Sequence, residues 1–593
     1  MPTHFTCDYV AKRDRRDEKK LPVKGKHDTV QVWVVRGENR VTAVIVHLAL
    51  PLHAVKPETV DLEFFHLPEV ESTHVSRIDP KQANAKARWQ MHGAPRCPTA
   101  DEVTRIVEAS RMKPRNGKLT AKGQSRSIEI VVQPQSVTTI ELRFARMARK
   151  ADKQSGDKMA APYAFTAAEN NLLDKLQADA FSYFTGSASP ETGLVADSSQ
   201  VGSAASIAAT GFALSCYPVA AEHGWLSRKQ AADMTLKTLR FFRDSRQGKD
   251  AKATGYKGFY YHFLDMHSGK RAHGCELSTI DTAMLLSGVL VAGEYFKRKG
   301  TAEKEIRLLS NALLERVDWA WTLDKKNGEV NHSWFPREGF RTVDWEGYTE
   351  ALMMYVLGVA SKSHPLPREI YQRVAQGYVW HHNAGLEWIH AAPLFIHLFP
   401  QAWLDLRGLH DGFVSQHADI DYAENTRRAI VVQRDYARLN PFNYVGYGEN
   451  IWGLSACEGP HGTHTLRNGN KQKFVGYAAR GVTAGPDDGT LVPWAAAACV
   501  AHAPEAALAG LHATLLRYPR ALRDGQFVGA INPSLPGDGP EGWVAPACFG
   551  IDQGLVVMMI ENARSGLVWE LMRKSSMVKR GLKRLGFAGA WLA

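Results

Sequence analysis

Five segments of this chain combine glycine, aromatic rings and carboxylates at a density that points to chemistry: Gly255 to His262, Cys275 to Asp281, Trp345 to Ala351, Gly446 to Gly453 and Gly485 to Thr490. Between them they carry the acids Glu276, Asp281, Glu350, Glu449, Asp487 and Asp488, and the rings Tyr256, Tyr260, Trp345, Tyr348, Tyr447 and Trp452. Aromatic rings stack on the apolar faces of pyranose rings, and a pair of carboxyl groups flanking a glycosidic bond is the usual machinery for cleaving it. The pattern therefore implies one large sugar-binding cleft built from loop tips beside apolar helical stretches.

Each residue also has a plainer use. Glu350 lies at the start of an apolar run, where a helix dipole favours a negative charge and lowers its pKa, the wrong direction for an acid unless burial against Trp345 and Tyr348 opposes it. Asp281 and Glu276 fit helix N-terminal or capping positions. Glu449, by contrast, sits in a glycine-flanked loop whose backbone freedom lets a side chain reach a ligand, which makes it a further catalytic candidate beside Glu350 and Asp281. One of Asp487 and Asp488 could serve as an N-cap, and any single aromatic could be core.

Other chemistries find no support. No Gly-x-Ser-x-Gly elbow, P-loop or dinucleotide fingerprint is present. His273, His364, His381, His382 and His397 lack metal-ligand spacing, so neither metal nor cofactor is expected. Seven cysteines, odd in number and widely spaced, read as free thiols. The net charge is +12, with about ten of the excess positives before residue 160, but they fall in loop-like segments without a nucleic-acid motif. The expected partner is an oligo- or polysaccharide, not nucleic acid. No apolar run approaches the roughly 20 residues that span a bilayer. Met1 to Lys20 has no apolar core of a secretory signal, which favours the cytoplasm, or the periplasm if a signal was removed.

A length of 593 residues exceeds one ordinary core. After a basic segment, 1–28, the stretch 29–146 alternates apolar and polar residues with β-branched enrichment, as in Val30 to Val35, Val41 to Val46, Asp61 to Phe65, Ser127 to Val132 and Val137 to Leu142. Period two predicts strands of a β-sandwich, with a short helix at Thr99 to Ser110. Charged, small residues at 147–162 read as a linker. From 163 to 593 the apolar period becomes 3.6 in about a dozen stretches, among them Ala204 to Ala221, Leu277 to Phe296, Tyr348 to Ser361 and Gly554 to Met572, without intervening strand runs. The fold class expected is multidomain β plus all-α: an N-terminal β-sandwich followed by an (α/α)6 barrel.

Two resemblances add to this. Arg77-Ile78-Asp79-Pro80 with Asn84, Trp89, Met91, Gly93, Ala94-Pro95 and Pro98-Thr99, closing at Gln133 to Thr138, resembles the C-terminal β-sandwich of β-xylosidase-like clan A glycosidases. That module's catalytic barrel is absent here, so it implies no xylosidase activity. From about Phe165 onward, Gly193 to Ser198, Ser206 to Phe212, the acidic segments, Gly476 to Gly481 and Ile551 to Gly554 resemble the glucoamylase-like domain of bacterial endo-β-1,2-glucanases and cyclic β-1,2-glucan synthases. This resemblance implies an (α/α)6 barrel, no metal requirement and action on β-1,2-linked glucose. It implies Glu350, in Gly-Tyr-Thr-Glu-Ala where Asn is commoner than Thr349, as the general acid. It gives Asp281 a catalytic or sugar-binding part, although Ser278 stands where some relatives have an aspartate.

Overall fold

The computed structural model describes residues 3–8, 30–36, 40–48, 56–65, 67, 69–91, 100–122, 125–144 and 163–592, the last without 325, 327, 342, 417–419 and 484. Most of the basic start, the linker and the segment from Gly93 to Thr99 lie outside the described residues. The chain divides into two compact units, Met1–Ser155 and Gly156–Ala593.

Among the described residues, the first unit holds two sheets. One runs, in spatial order, Thr3–Asp8, Glu58–Phe65, Ser125–Val132, Thr120–Lys122; the other Val30–Arg36, Arg40–His47, Ser136–Phe144, Val70–Ile78, Arg115–Asn116. All pairings are antiparallel except that of Thr3–Asp8 with Glu58–Phe65. Alternation drives the packing: Val41, Ala43 and Ile45 of one sheet join Val60, Leu62 and Phe64 of the other in one core. Asp79 and Asn84 do local work. Asp79 accepts from the amides of Lys81 and Gln82, and Asn84 accepts from Ala87 N–H to start a helix, Ala85–Met91, that period analysis does not anticipate.

The second unit is mixed, helical with short strands. Helices Ile207–Glu222 and Thr279–Tyr295 are buried nearly all round, whereas Arg228–Asp244 buries one face. The two buried helices touch at glycines: a Cβ on Gly288 would lie 2.0 Å from the Gly211 carbonyl oxygen. Each begins at a serine, Ser206 and Ser278, whose hydroxyl accepts from the backbone three residues on.

Strands do interrupt the helices, contrary to the sequence reading. Gly255–Tyr256, Phe259–Tyr261, Leu277–Ser278, Ser333–Phe335 and Gly339–Phe340 form an antiparallel sheet in that order. With two or three residues per strand, no alternation can be seen in the sequence. The expected helix Gly554 to Met572 is two, Gly550–Arg564 and Leu567–Lys574, and a further helix, Ser576–Arg584, follows. No helix among the described residues is long and apolar enough to cross a membrane. Cys216, Cys275, Cys457, Cys499 and Cys548 are free thiols.

Candidate active site

A cavity of about 620 Å³ opens beside the short sheet and is lined by Asp197, Glu276, Asp281, Glu350, Glu458 and Asp552, with His262, Trp345 and Tyr477. The sheet sets the first of these acids. Strand Leu277–Ser278 pairs with Phe259–Tyr261 and with Ser333–Phe335, and His262 N–H donates to the Glu276 carbonyl, so His262 and Glu276 face one another across the pair. Ser278 then caps the helix, its hydroxyl also donates to Asp281 Oδ2, and Asp281 is held at the first turn. Glu350 enters from a different element, just before helix Leu352–Ala360. Its loop is braced by Trp345, whose Nε1 donates to Thr279 Oγ1 at 3.0 Å and whose carbonyl accepts from the Tyr355 hydroxyl at 3.2 Å.

His262 sits between two carboxylates, its Nδ1 2.8 Å from Glu276 Oε1 and its Nε2 3.7 Å from Asp281 Oδ1. Burial alone would lower its pKa, but the Asp281 charge and the hydrogen bond to Glu276 outweigh it and raise the ring to about 9. Burial would conversely raise Glu276, yet the His262 hydrogen bond and charge hold it below the usual carboxylate range. Atoms of these three residues lie within 4.8 Å of one another, a spacing that could hold an ion. Each ring nitrogen already faces a carboxylate, so the cluster balances itself as an imidazolium between two carboxylates.

Glu350, Asp197 and Asp552 go the other way. Burial, with one backbone hydrogen bond opposing and the Asp281 charge adding, pushes Glu350 up to about 7. Burial is also the first cause that takes Asp197 to about 6 and Asp552 well above the carboxylate range. One cavity thus presents carboxyls that keep their proton near neutrality beside a carboxylate that does not, the division from which acid and base roles are made.

The structure brings Glu350, Asp281, Glu276 and Trp345 to this cavity and leaves the other expected residues off it. Glu449 lies more than half exposed elsewhere, 3.6 Å from Arg434. Asp487 accepts from the hydroxyls of Tyr447 and Tyr436 at 2.6 and 2.9 Å, and Asp488 pairs with buried Arg480; no helix starts there for either to cap. Tyr447 is thereby committed to Asp487. Tyr260 is buried with its hydroxyl on the Phe242 carbonyl, and Trp452 is buried. Tyr348 packs against Tyr378, His397 and Tyr422, and Tyr256 stacks on Trp334. These rings are engaged in packing or in hydrogen bonds away from the cavity. The sequence pattern alone assigns no role to Asp197, His262, Glu458, Tyr477 or Asp552. Four of them stand in or beside quoted motifs: His262 ends the first aromatic segment, Asp197 and Asp552 lie in glycine-bearing motifs, and Tyr477 follows Gly476.

Residues 342–576 match the family model "Glycoamylase", described as "Putative glucoamylase". A curated relative from Parabacteroides distasonis, an exo β-1,2-glucooligosaccharide sophorohydrolase acting at the non-reducing end, is 25% identical over 461 residues, which is 70% of this chain and 58% of the relative. The chain therefore spans less than two thirds of that relative's length. Among solved structures, a "putative glucoamylase" from Bacteroides uniformis is 28% identical, with a TM-score of 0.63 over 73% of this chain and all of the other. An endo-β-1,2-glucanase from Chitinophaga pinensis is 25% identical, with a TM-score of 0.62 over 72% of this chain and 100% of its own. Glu350, Glu458, Tyr477 and Asp552 all fall within the matched residues, so the segment that carries them is the one similar to the glucoamylase family.

Proposed function

We propose that this protein is a glycoside hydrolase acting on β-linked glucan, β-1,2-glucan or its oligosaccharides, with Glu350 as the general acid. The observation that carries the reading is the protonation of Glu350 near neutrality in a cavity shared with Asp281 and ionised Glu276. The linkage is supported by similarity to proteins described as β-1,2-glucan hydrolases. Glu350 donates its proton to the leaving glycosidic oxygen, and Asp281, oriented by the Ser278 hydroxyl, is the carboxylate proposed to act on the opposite face, through water or directly. We further propose that residues 163–593 form an (α/α)6 barrel as the catalytic domain, supported by the contrast between all-buried and one-face-buried helices, and that residues 29–146 form an accessory β-sandwich.

Incubating the protein with a panel of β-glucans of defined linkage, and resolving products by chain length, tests this reading. Products from β-1,2-glucan alone are expected, and cleavage of another linkage in preference would overturn the substrate. A second reading, exo action, is favoured by the activity described for the curated relative. It gives products of one fixed length, where endo action gives a distribution.

A further inference from the structure

Between Ala456 and Ala479 the chain leaves the helices, runs out as a hairpin (His461–Thr465 with Lys471–Val475) and returns, and its two feet pair as Ala456 with Ala479 and Cys457 with Ala478. Glu458 and Tyr477 stand at the feet and line the cavity. Both are exposed, Tyr477 at 63%, which is unusual for a ring that faces a cavity and has no packing partner among the described aromatic contacts. The Tyr477 hydroxyl is pushed up to about 12, by desolvation first and then by the charges of Cys457, Glu350, Glu458 and Asp281 around the cavity.

Beneath the feet lies the guanidinium of Arg480, fully buried. Nε and Nη2 donate to the two oxygens of Asp488, both at 2.7 Å, Nη1 donates to the Cys457 carbonyl at 2.8 Å, and Nη2 to the Gly476 carbonyl at 3.0 Å. Those two carbonyls belong to the peptide groups that directly precede Glu458 and Tyr477. One planar, rigid cation therefore fixes both peptide planes at once, a geometry that a lysine's point charge cannot reproduce. The backbone is cut to admit it: a Cβ on Gly459 would lie 2.1 Å from Nη2. A buried charge this fully committed costs desolvation, and Asp488 offsets that cost without touching the cavity.

We propose that Glu458 and Tyr477 grip a glucosyl unit of the substrate at the cleft rim, the ring against a pyranose face and the carboxylate accepting from sugar hydroxyls, and that Arg480, held by Asp488, is the positioning residue for this pair. The inference rests on the glucan reading above. It gives Asp488, expected from the sequence to bind sugar, an indirect part in doing so.

The test is steady-state kinetics on linear β-1,2-gluco-oligosaccharides for the parent, Tyr477→Ala, Glu458→Gln, Arg480→Lys and the Arg480→Lys/Tyr477→Ala double variant, with a melting curve for each. Tyr477→Ala and Glu458→Gln change exposed residues, so they are expected to melt with the parent while raising KM by about tenfold and lowering kcat by less than about threefold. Arg480→Lys is expected to raise KM similarly, and the double variant to raise it by much less than the product of the single effects, because both act on the same contact. Unchanged KM in Tyr477→Ala and Glu458→Gln overturns the grip, whatever Arg480→Lys does. Multiplying effects in the double variant reduce Arg480 to a structural role. A parent without turnover on any β-1,2-glucan overturns the glucan reading itself, and so is distinguishable from failure of the grip in an active parent.

Discussion

Glu350 is subject to opposed influences, and burial wins over its backbone hydrogen bond: the carboxyl sits at about 7 where an exposed glutamate would titrate near 4.5. Two consequences follow at this scale. Replacing it with glutamine removes the proposed proton donor, so kcat is expected to fall on the order of 10²- to 10⁴-fold. In the parent, activity is expected to decline as pH rises through about 7, as the acid loses its proton. The same shift affects stability with a definite sign. The unfolded chain releases this proton near 4.5 and the folded chain near 7, so rising pH favours unfolding across that window. Glu350→Gln is therefore expected to unfold at a higher temperature than the parent at pH 8 but not at pH 4, by an amount that full ionisation would set at about 3 kcal/mol. Equal melting temperatures of the two proteins at both pH values would show that the carboxyl is not desolvated.

At the scale of elements, the short sheet and the capped helix it feeds hold the ionised half of the site. His262 is raised from 6.5 to about 9 by its two carboxylates, so its contribution to stability is fully present below 6.5 and is lost as pH rises through about 9. The stability difference between the parent and His262→Gln is accordingly expected to shrink between pH 6.5 and 9, as read by denaturant unfolding. A difference that stays constant across that range would remove the imidazolium from the account. The helix itself depends on its contact with Ile207–Glu222. Gly288→Ala drives a methyl to 2.0 Å from the Gly211 carbonyl oxygen, between two helices with no room to part, and is expected to cost about 3 kcal/mol or more. Which of these features can be read in the sequence follows from their range. Strands of eight or nine residues, and helices that bury one face such as Arg228–Asp244, show their period. Two-residue strands such as Leu277–Ser278 do not, and the sheet that pairs His262 with Glu276 is built from them.

For the whole molecule, the two halves of the chain differ in what the sequence discloses. The change from period two to period 3.6 is legible near the point where the chain divides into two compact units. Within the second unit, Asp281 and Glu350, each beside a helix start, lie in segments where glycine, rings and acids cluster, and that local density is what singles out two of the residues lining the cavity. Tyr260, Trp452 and Tyr348 are misread as sugar platforms because an aromatic loop folded inward has the same composition as one facing a cleft. Asp197, Asp552 and Tyr477 reach the cavity only through tertiary packing of segments far apart in the chain, which no local window contains. The similarity to β-1,2-glucan hydrolases bears on the substrate, and the cavity bears on the residue that does the work. The most direct test joins the two: linear β-1,2-glucan is incubated with the parent and with Glu350→Gln at pH 6, and reducing ends are counted over time. The account predicts rapid release by the parent and almost none by the variant. Release at equal rates by both, or by neither, would contradict it.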